Sequence, residues 1–179
     1  MTSSTSIECE LTDFHTPDGL VDRLQQDHER YKKWYRTTPT EDTDSRLWDH
    51  QKACIEAIEQ DFQNGRRRTL IQMATGAGKT RMAMGLAFRA LKSGFAGRIL
   101  FVPDTRNLAD QAHSSFSNYV ANGTKLSDTY SVTNLEHDED DVHTANIVVT
   151  TLQKMYSLVE KRDDTDFSPH EFDLIITDE

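Results

Sequence analysis

The sequence is predicted to fold as an α/β domain on a parallel sheet, with a short helical N-terminal extension. Apolar runs too short for helices alternate with amphipathic stretches of helical period, the pattern of βα units rather than of hairpins. The runs at 146–151 (NIVVTT) and 173–177 (DLIIT) are continuous and β-branched, as strands buried on both faces are. Between the run at 69–73 and the helix after it lies a glycine-rich turn, ATGAGKT, at 74–80. The 179 residues give room for one ordinary domain, or one plus an appendage. Apolar residues make up 36% and mean hydropathy is −0.68, yet the apolar residues fall in tight blocks. A modest core is expected, and wholesale disorder is excluded.

The elements follow in order. Residues 1–16 are polar and rich in Ser and Thr. Thr16 then Pro17 reads as an N-cap and first helical position. Leu20, Val21, Leu24, His28, Tyr31, Trp34 and Tyr35 continue at helical spacing and predict an amphipathic helix over 17–36. Residues 37–45 (TTPTEDTDS) show no period and read as a linker, so 1–45 form an extension and the domain proper begins at 46. Trp48, Gln51, Ile55, Ile58 and Phe62 share one helical face, ended by Asn64 and Gly65. TLIQM (69–73) is predicted as a buried strand, 79–93 as a long helix closed by Gly94, and RILFVP (98–103) as a second strand. A helix over 105–119, a weaker strand at 129–133 and an acidic, solvated turn at 136–141 precede the last two strands.

Charge and cysteine content remove several classes. Twenty Lys and Arg face 30 Asp and Glu, a net charge of −10, which excludes a generally basic nucleic-acid coat but leaves a locally basic groove open. Cys9 and Cys54 stand apart without metal-ligand spacing, against a zinc site or a disulfide framework. The first residues have neither a basic start nor an apolar core, and no apolar run approaches the ~18 residues that cross a bilayer. A cytoplasmic protein without membrane contact is expected.

The glycine-rich turn stands where a strand ends and a helix begins, the context a phosphate-binding loop requires. Thr75, Gly76, Ala77 and Gly78 would let backbone N–H groups approach phosphate oxygens, with the helix dipole behind them. Lys79 would reach the β- and γ-phosphates and Thr80 would ligate Mg²⁺. Met73 replaces the first glycine of the general G-x-x-x-x-G-K-[ST] pattern. Asp178 and Glu179 follow an apolar strand; beside a phosphate loop, such a pair supplies a metal carboxylate and a general base. Gln51 lies in an apolar stripe, and a buried amide needs partners that an adenine edge offers. Thr105, Arg106 and Gln111 follow the second strand, and Thr150, Thr151 and Gln153 follow a later one. Loops at the carboxyl ends of parallel strands form the working surface, and such side chains contact phosphate backbones. Thr105 and Thr151 also read as ordinary N-caps. Arg66, Arg67 and Arg68 fit either a solvated turn or a nucleic-acid contact.

Five segments in this order, RLWDHQKACIEAI, QMATGAGKT, ILFVPDTRNLADQA, VVTTLQKMYS and FDLIITDE, resemble the first RecA-like domain of superfamily 2 helicases and translocases. Within that superfamily the chain is most similar to the DEAD/DEAH-type motor of type I and type III restriction-enzyme R subunits. The resemblance covers roughly 46–179, with Trp48, Asp49 and His50 in place of the usual Arg-Pro-Tyr and Lys154 where Arg is common. It implies a RecA-like P-loop domain, incomplete after Asp178 and Glu179, that uses ATP and Mg²⁺. It also implies double-stranded DNA and restriction-modification subunits as partners. On this resemblance Gln51 reads adenine; Arg106, Gln111, Thr151 and Gln153 lie along the strand. The isolated chain is then expected to bind ATP and barely hydrolyse it. An RNA helicase fragment and a non-catalytic nucleotide- or DNA-binding remnant remain open.

Overall fold

A computed structural model describes residues 17–138, 142–160 and 171–178, with side chains from residue 27 onward. Helix α1 (Pro17–Thr37) is the expected N-terminal helix; Leu20, Val21 and Leu24 lie outside the described side chains. Its later turns bury Tyr31 and Tyr35. Tyr31 meets Phe95 edge-on at 5.2 Å, and Phe95 stacks on Phe62 at 4.3 Å. Burial pushes the Tyr35 hydroxyl well above its ordinary pKa.

Residues 37–45, read from sequence as a linker, pack into the body: Thr40, Thr43 and Asp44 are all buried. The cause is Arg89, whose side chain is 1% exposed. Its Nε and Nη2 pair with the two oxygens of Glu59. Nη1 donates to Pro39 O at 3.1 Å and Thr43 Oγ1 at 2.8 Å, and Nη2 to Thr38 O at 2.9 Å. Trp34 covers the guanidinium at 4.9 Å. Burial pushes the Glu59 carboxyl up, against the opposing pull of Arg89.

Helices α2 (Asp49–Gln63) and α3 (Lys79–Ser93) pack together through Leu47, Ile55, Ile58, Met82 and Leu86. Strand β1 (Ile99–Pro103) is buried along its whole length, and α4 (Arg106–Ser117) follows it. A small antiparallel hairpin, β2 (Val120–Ala121) and β3 (Thr124–Lys125), then appears where no strand was predicted. Its signal in the sequence is Asn122-Gly123, both at positive φ (50° and 76°), the geometry of a two-residue hairpin turn. Strand β4 (Val132–Asn134) lies slightly later than predicted; β5 (Ile147–Val149), α5 (Leu152–Glu160) and β6 (Leu174–Asp178) complete the described elements.

Among the described residues the main sheet has the order β4-β5-β1-β6, all parallel. Alternation along β1 divides the core. Ile99 and Phe101 face α3 and α4, while Leu100 and Val102 face the layer that holds Leu135 and Leu158 of α5. Helices thus cover both faces, as an all-parallel sheet requires.

Two strand expectations are corrected. Residues 69–73 form no strand, although Ile71 and Met73 turn toward the α2–α3 cluster. Among the described residues β6 is bonded to β1 alone, so its outer edge is left unpaired by 69–73, and Leu70 stays 97% exposed. Strand β6, predicted to be buried on both faces, lies at the edge of the sheet among the described residues, with Ile175 57% exposed. No helix among the described residues is long and apolar enough to cross a membrane.

Arg89→Met is expected to lower unfolding free energy in urea by about 3–5 kcal/mol, because it strands a buried carboxylate; the E59L/R89M pair should lose less. Asp44 supplies a pH signature. Burial raises its carboxyl, but hydrogen bonds from Arg46 and Arg81 outweigh this and hold it below the ordinary range. Its stabilisation is therefore present above about pH 4 and lost as pH falls through the folded value. The stability gap between wild type and Asp44→Asn should close on acidification below about pH 4.

Candidate nucleotide site and nucleic-acid rim

The glycine-rich turn becomes a loop capped by Gly78, the N-cap of α3, with φ +74°. An added Cβ at Gly78 would stand 2.3 Å from Gln51 Nε2, so the position excludes a side chain twice over. Gln51, in the first turn of α2, is 2% exposed. Its Nε2 donates to Ala77 O at 2.9 Å and Gly78 O at 3.1 Å, and its Oε1 accepts from Trp48 N at 2.9 Å. The amide expected to face a base is engaged with the loop itself. His50, noted in the sequence only as a departure from the usual Arg-Pro-Tyr and given no role, sets Nε2 3.1 Å from the same Ala77 carbonyl and pairs with the half-exposed Trp48 ring.

Lys79 and Thr80 open α3, where the N–H groups and dipole of a helix favour an anion. Thr80 Oγ1 donates to Asp178 Oδ2 at 3.2 Å, joining groups 98 residues apart. Arg81, next in sequence, holds Asp44 at 2.9 Å and steadies the first turn. A cleft of about 300 Å³ runs from Lys79, Thr80 and Asp178 to Leu108, Gln111 and Ser115 of α4. Gln111, expected on a nucleic-acid strand, therefore lines the same cleft as Lys79. Thr75 and Gly76 are exposed on the outer side of the loop, and Ala77 is half-buried. Glu179 lies outside the described residues.

The other expected contacts gather at the carboxyl ends of β1 and β5. Thr105 caps α4, its Oγ1 accepting from Leu108 N at 3.4 Å. Arg106 is 80% exposed and Gln153 is exposed on the first turn of α5. Thr150 and Thr151 are brought to the same rim but are 0% and 2% exposed. Their hydroxyls turn inward, Thr151 Oγ1 toward Glu136 Oε1 at 2.7 Å. Glu136 was expected in a solvated turn; instead its side chain is 3% exposed. Nothing in an acidic run marks which member is buried. Arg66 pairs with Asp61 at 3.2 Å, and Arg67 and Arg68 are exposed.

Gly78→Ala is expected to lower the melting temperature, since it adds a clash with Gln51 to a left-handed φ that costs a non-glycine residue about 1–2 kcal/mol. The G78A/Q51A pair removes the clash but not the φ cost, and should recover part of the stability lost by Gly78→Ala.

Residues 44–179 match the family of type III restriction enzymes, res subunit. The chain is 30% identical over 171 residues to the type I restriction enzyme EcoKI endonuclease subunit of Escherichia coli K12, covering 94% of this chain and 14% of that protein. It is 37% identical over 79 residues to the type I restriction enzyme EcoAI endonuclease subunit of Escherichia coli, covering 44% of this chain and 10% of that protein. The chain thus spans about a seventh of the length of the first of these relatives. No solved structure matches. The match over three quarters of the chain makes this protein a member of the type III restriction enzyme res subunit family, and its parallel sheet is that of a RecA-like domain.

Proposed function

We propose that the chain is the ATP-binding part of a nucleic-acid-dependent ATPase, a DNA helicase or translocase motor of a restriction system, acting on double-stranded DNA with restriction-modification subunits. One observation carries the reading. The Thr80 hydroxyl and Asp178 carboxylate meet at 3.2 Å beside Lys79, at the start of a helix. Hard oxygen donors of this kind, one hydroxyl and one carboxylate, suit Mg²⁺, which keeps several waters and shares its shell with substrate phosphates. The glycine loop with no Cβ at positions 76 and 78 fits a phosphate chain.

Thr80 and Asp178 would hold Mg²⁺, and Lys79 would hold the terminal phosphates of ATP. When bound, the ion would neutralise charge building on the transferred phosphoryl group. Glu179 would orient and deprotonate the attacking water. Gln51 would select adenine by exchanging its loop carbonyls for the base edge, which also makes the loop sense an adenine nucleotide. Gln111 stands in the cleft with Lys79, and Arg106 sits five residues earlier on the same helix. Helix α4 therefore runs from the nucleotide to the rim proposed for the DNA backbone, the shortest route by which the two could communicate.

ATP·Mg²⁺ binding by titration calorimetry should be abolished by Lys79→Ala. Gln51→Ala should narrow the ratio of ATP to GTP affinity; an unchanged ratio removes the adenine role. Phosphate release from this chain by itself should stay at background. The residues gathered here meet ground-state charge, whereas in this class an arginine finger adds about 10³–10⁵ in rate. DNA-stimulated turnover at an ordinary kcat of about 1–10³ s⁻¹ would overturn that expectation.

A further inference from the structure

Glu136 joins three loops at the carboxyl edge of the sheet. It follows β4, whereas Arg106 follows β1 and Thr151 follows β5, and these three strands are adjacent in the order β4-β5-β1. Its Oε1 accepts from Thr151 N at 3.1 Å and Thr151 Oγ1 at 2.7 Å. Its Oε2 lies 3.0 Å from Arg106 Nε. The Glu136 backbone N–H donates to Asn134 Oδ1 at 3.1 Å. The Asn134 amide in turn donates to Asp110 Oδ1 at 2.8 Å, and His137 Nε2 lies 2.7 Å from that oxygen. Helix α4 is thus tied to the β4–β5 segment at both Arg106 and Asp110.

We propose that Glu136 is a positioning residue for nucleic-acid binding, a buried carboxylate that aims the Arg106 guanidinium at a strand's phosphates and sets the start of α5 beside it. The proposal rests on the nucleic-acid reading of this rim. The asymmetry of exposure supports it: Glu136 is 3% exposed and Arg106 80%. Here the ion pair is made to Nε, and an exposed guanidinium engaged there keeps its two terminal nitrogens for a bidentate grip on phosphate oxygens. Fixing an exposed arginine in advance removes rotamer entropy that binding would otherwise cost. Thr151 is set by the same group. Its single hydroxyl proton goes to Glu136, so its oxygen is left to accept from Lys154 N at 3.3 Å and cap α5, which carries Gln153.

Glu136→Gln separates the two halves of this arrangement. The amide oxygen still accepts from Thr151, while the amide nitrogen meets Arg106 Nε donor to donor. Arg106→Lys is the complementary variant, keeping the charge at an exposed position and discarding the Nε handle. The test measures anisotropy of a fluorescein-labelled DNA duplex with the full chain at two NaCl concentrations, alongside thermal unfolding. Wild type, Glu136→Gln, Arg106→Lys, Arg106→Ala and E136Q/R106A are compared.

Glu136→Gln and Arg106→Lys should each weaken binding roughly 3- to 10-fold, the scale of one net hydrogen bond. Arg106→Ala should weaken it at least as much and reduce the salt slope by about 1. The double variant should bind no worse than Arg106→Ala. Binding that is unchanged or tighter in Glu136→Gln, while Arg106→Ala weakens it, overturns the proposal and leaves the interface standing. So does a Glu136→Gln penalty that persists in full without Arg106, which a merely structural role would give. An Arg106→Ala variant that binds like wild type overturns the interface reading itself.

Discussion

Helix α2 is locked to helix α3 by two polar grips, and that lock sets Gln51, the glycine loop and the start of α3 against one another in the candidate site. At one end Gln51 holds the carbonyls of Ala77 and Gly78. Two turns later Glu59 takes the guanidinium of Arg89. Between them lies the apolar seam of Ile55, Ile58, Met82 and Leu86. Apolar packing is non-directional and tolerates sliding, whereas two hydrogen-bonded grips admit one register. All five N–H donors of Arg89 are satisfied, which also draws the end of α1 and residues 38–43 onto the domain.

The second organising constraint is the parallel sheet. Strands running the same way deliver their following loops to one edge, so Asp178, Thr105, Glu136 and Thr151 arrive together from four separate segments. What each does there depends on burial. Asp178 stays beside Thr80 at the mouth of the cleft. Glu136 goes under, where a carboxylate must be met by donors, and the Thr151 and Arg106 groups meet it. The rim is therefore a network, with exposed Arg106 and Gln153 standing on buried Glu136 and Thr151.

Strand β6 shows the limit of this order. Its β1 side is fully laddered from Leu174 to Asp178, while its burial alternates between half-buried and exposed. Along residues 69–73, Ile71 and Met73 turn to the core while Leu70 and Gln72 stay exposed, the alternation of a strand without its bonds. Membership of the family matched over 44–179 makes a RecA-like sheet the frame for both.

Much of the protein was legible from local pattern. Helices α1, α2, α3 and α4, strand β1 and the glycine-capped loop were readable because period, caps and turn residues act within a few positions of one another. That Thr80 and Asp178 would meet beside Lys79 was foreshadowed by residue type and by the glycine turn opening a helix. Tertiary structure decided the rest, in each case through a partner distant in sequence. An apolar run at 69–73 cannot report whether an edge accepts it. A polar stretch such as 37–45 cannot report that Arg89 gathers its carbonyls. Two threonines after β5 read as contacts or as caps until burial turned their hydroxyls inward. Among the acidic residues at 136–141, Glu136 became structural because neighbouring strands placed donors from positions 106 and 151 around it, and pairing across a sheet leaves no trace in the local sequence.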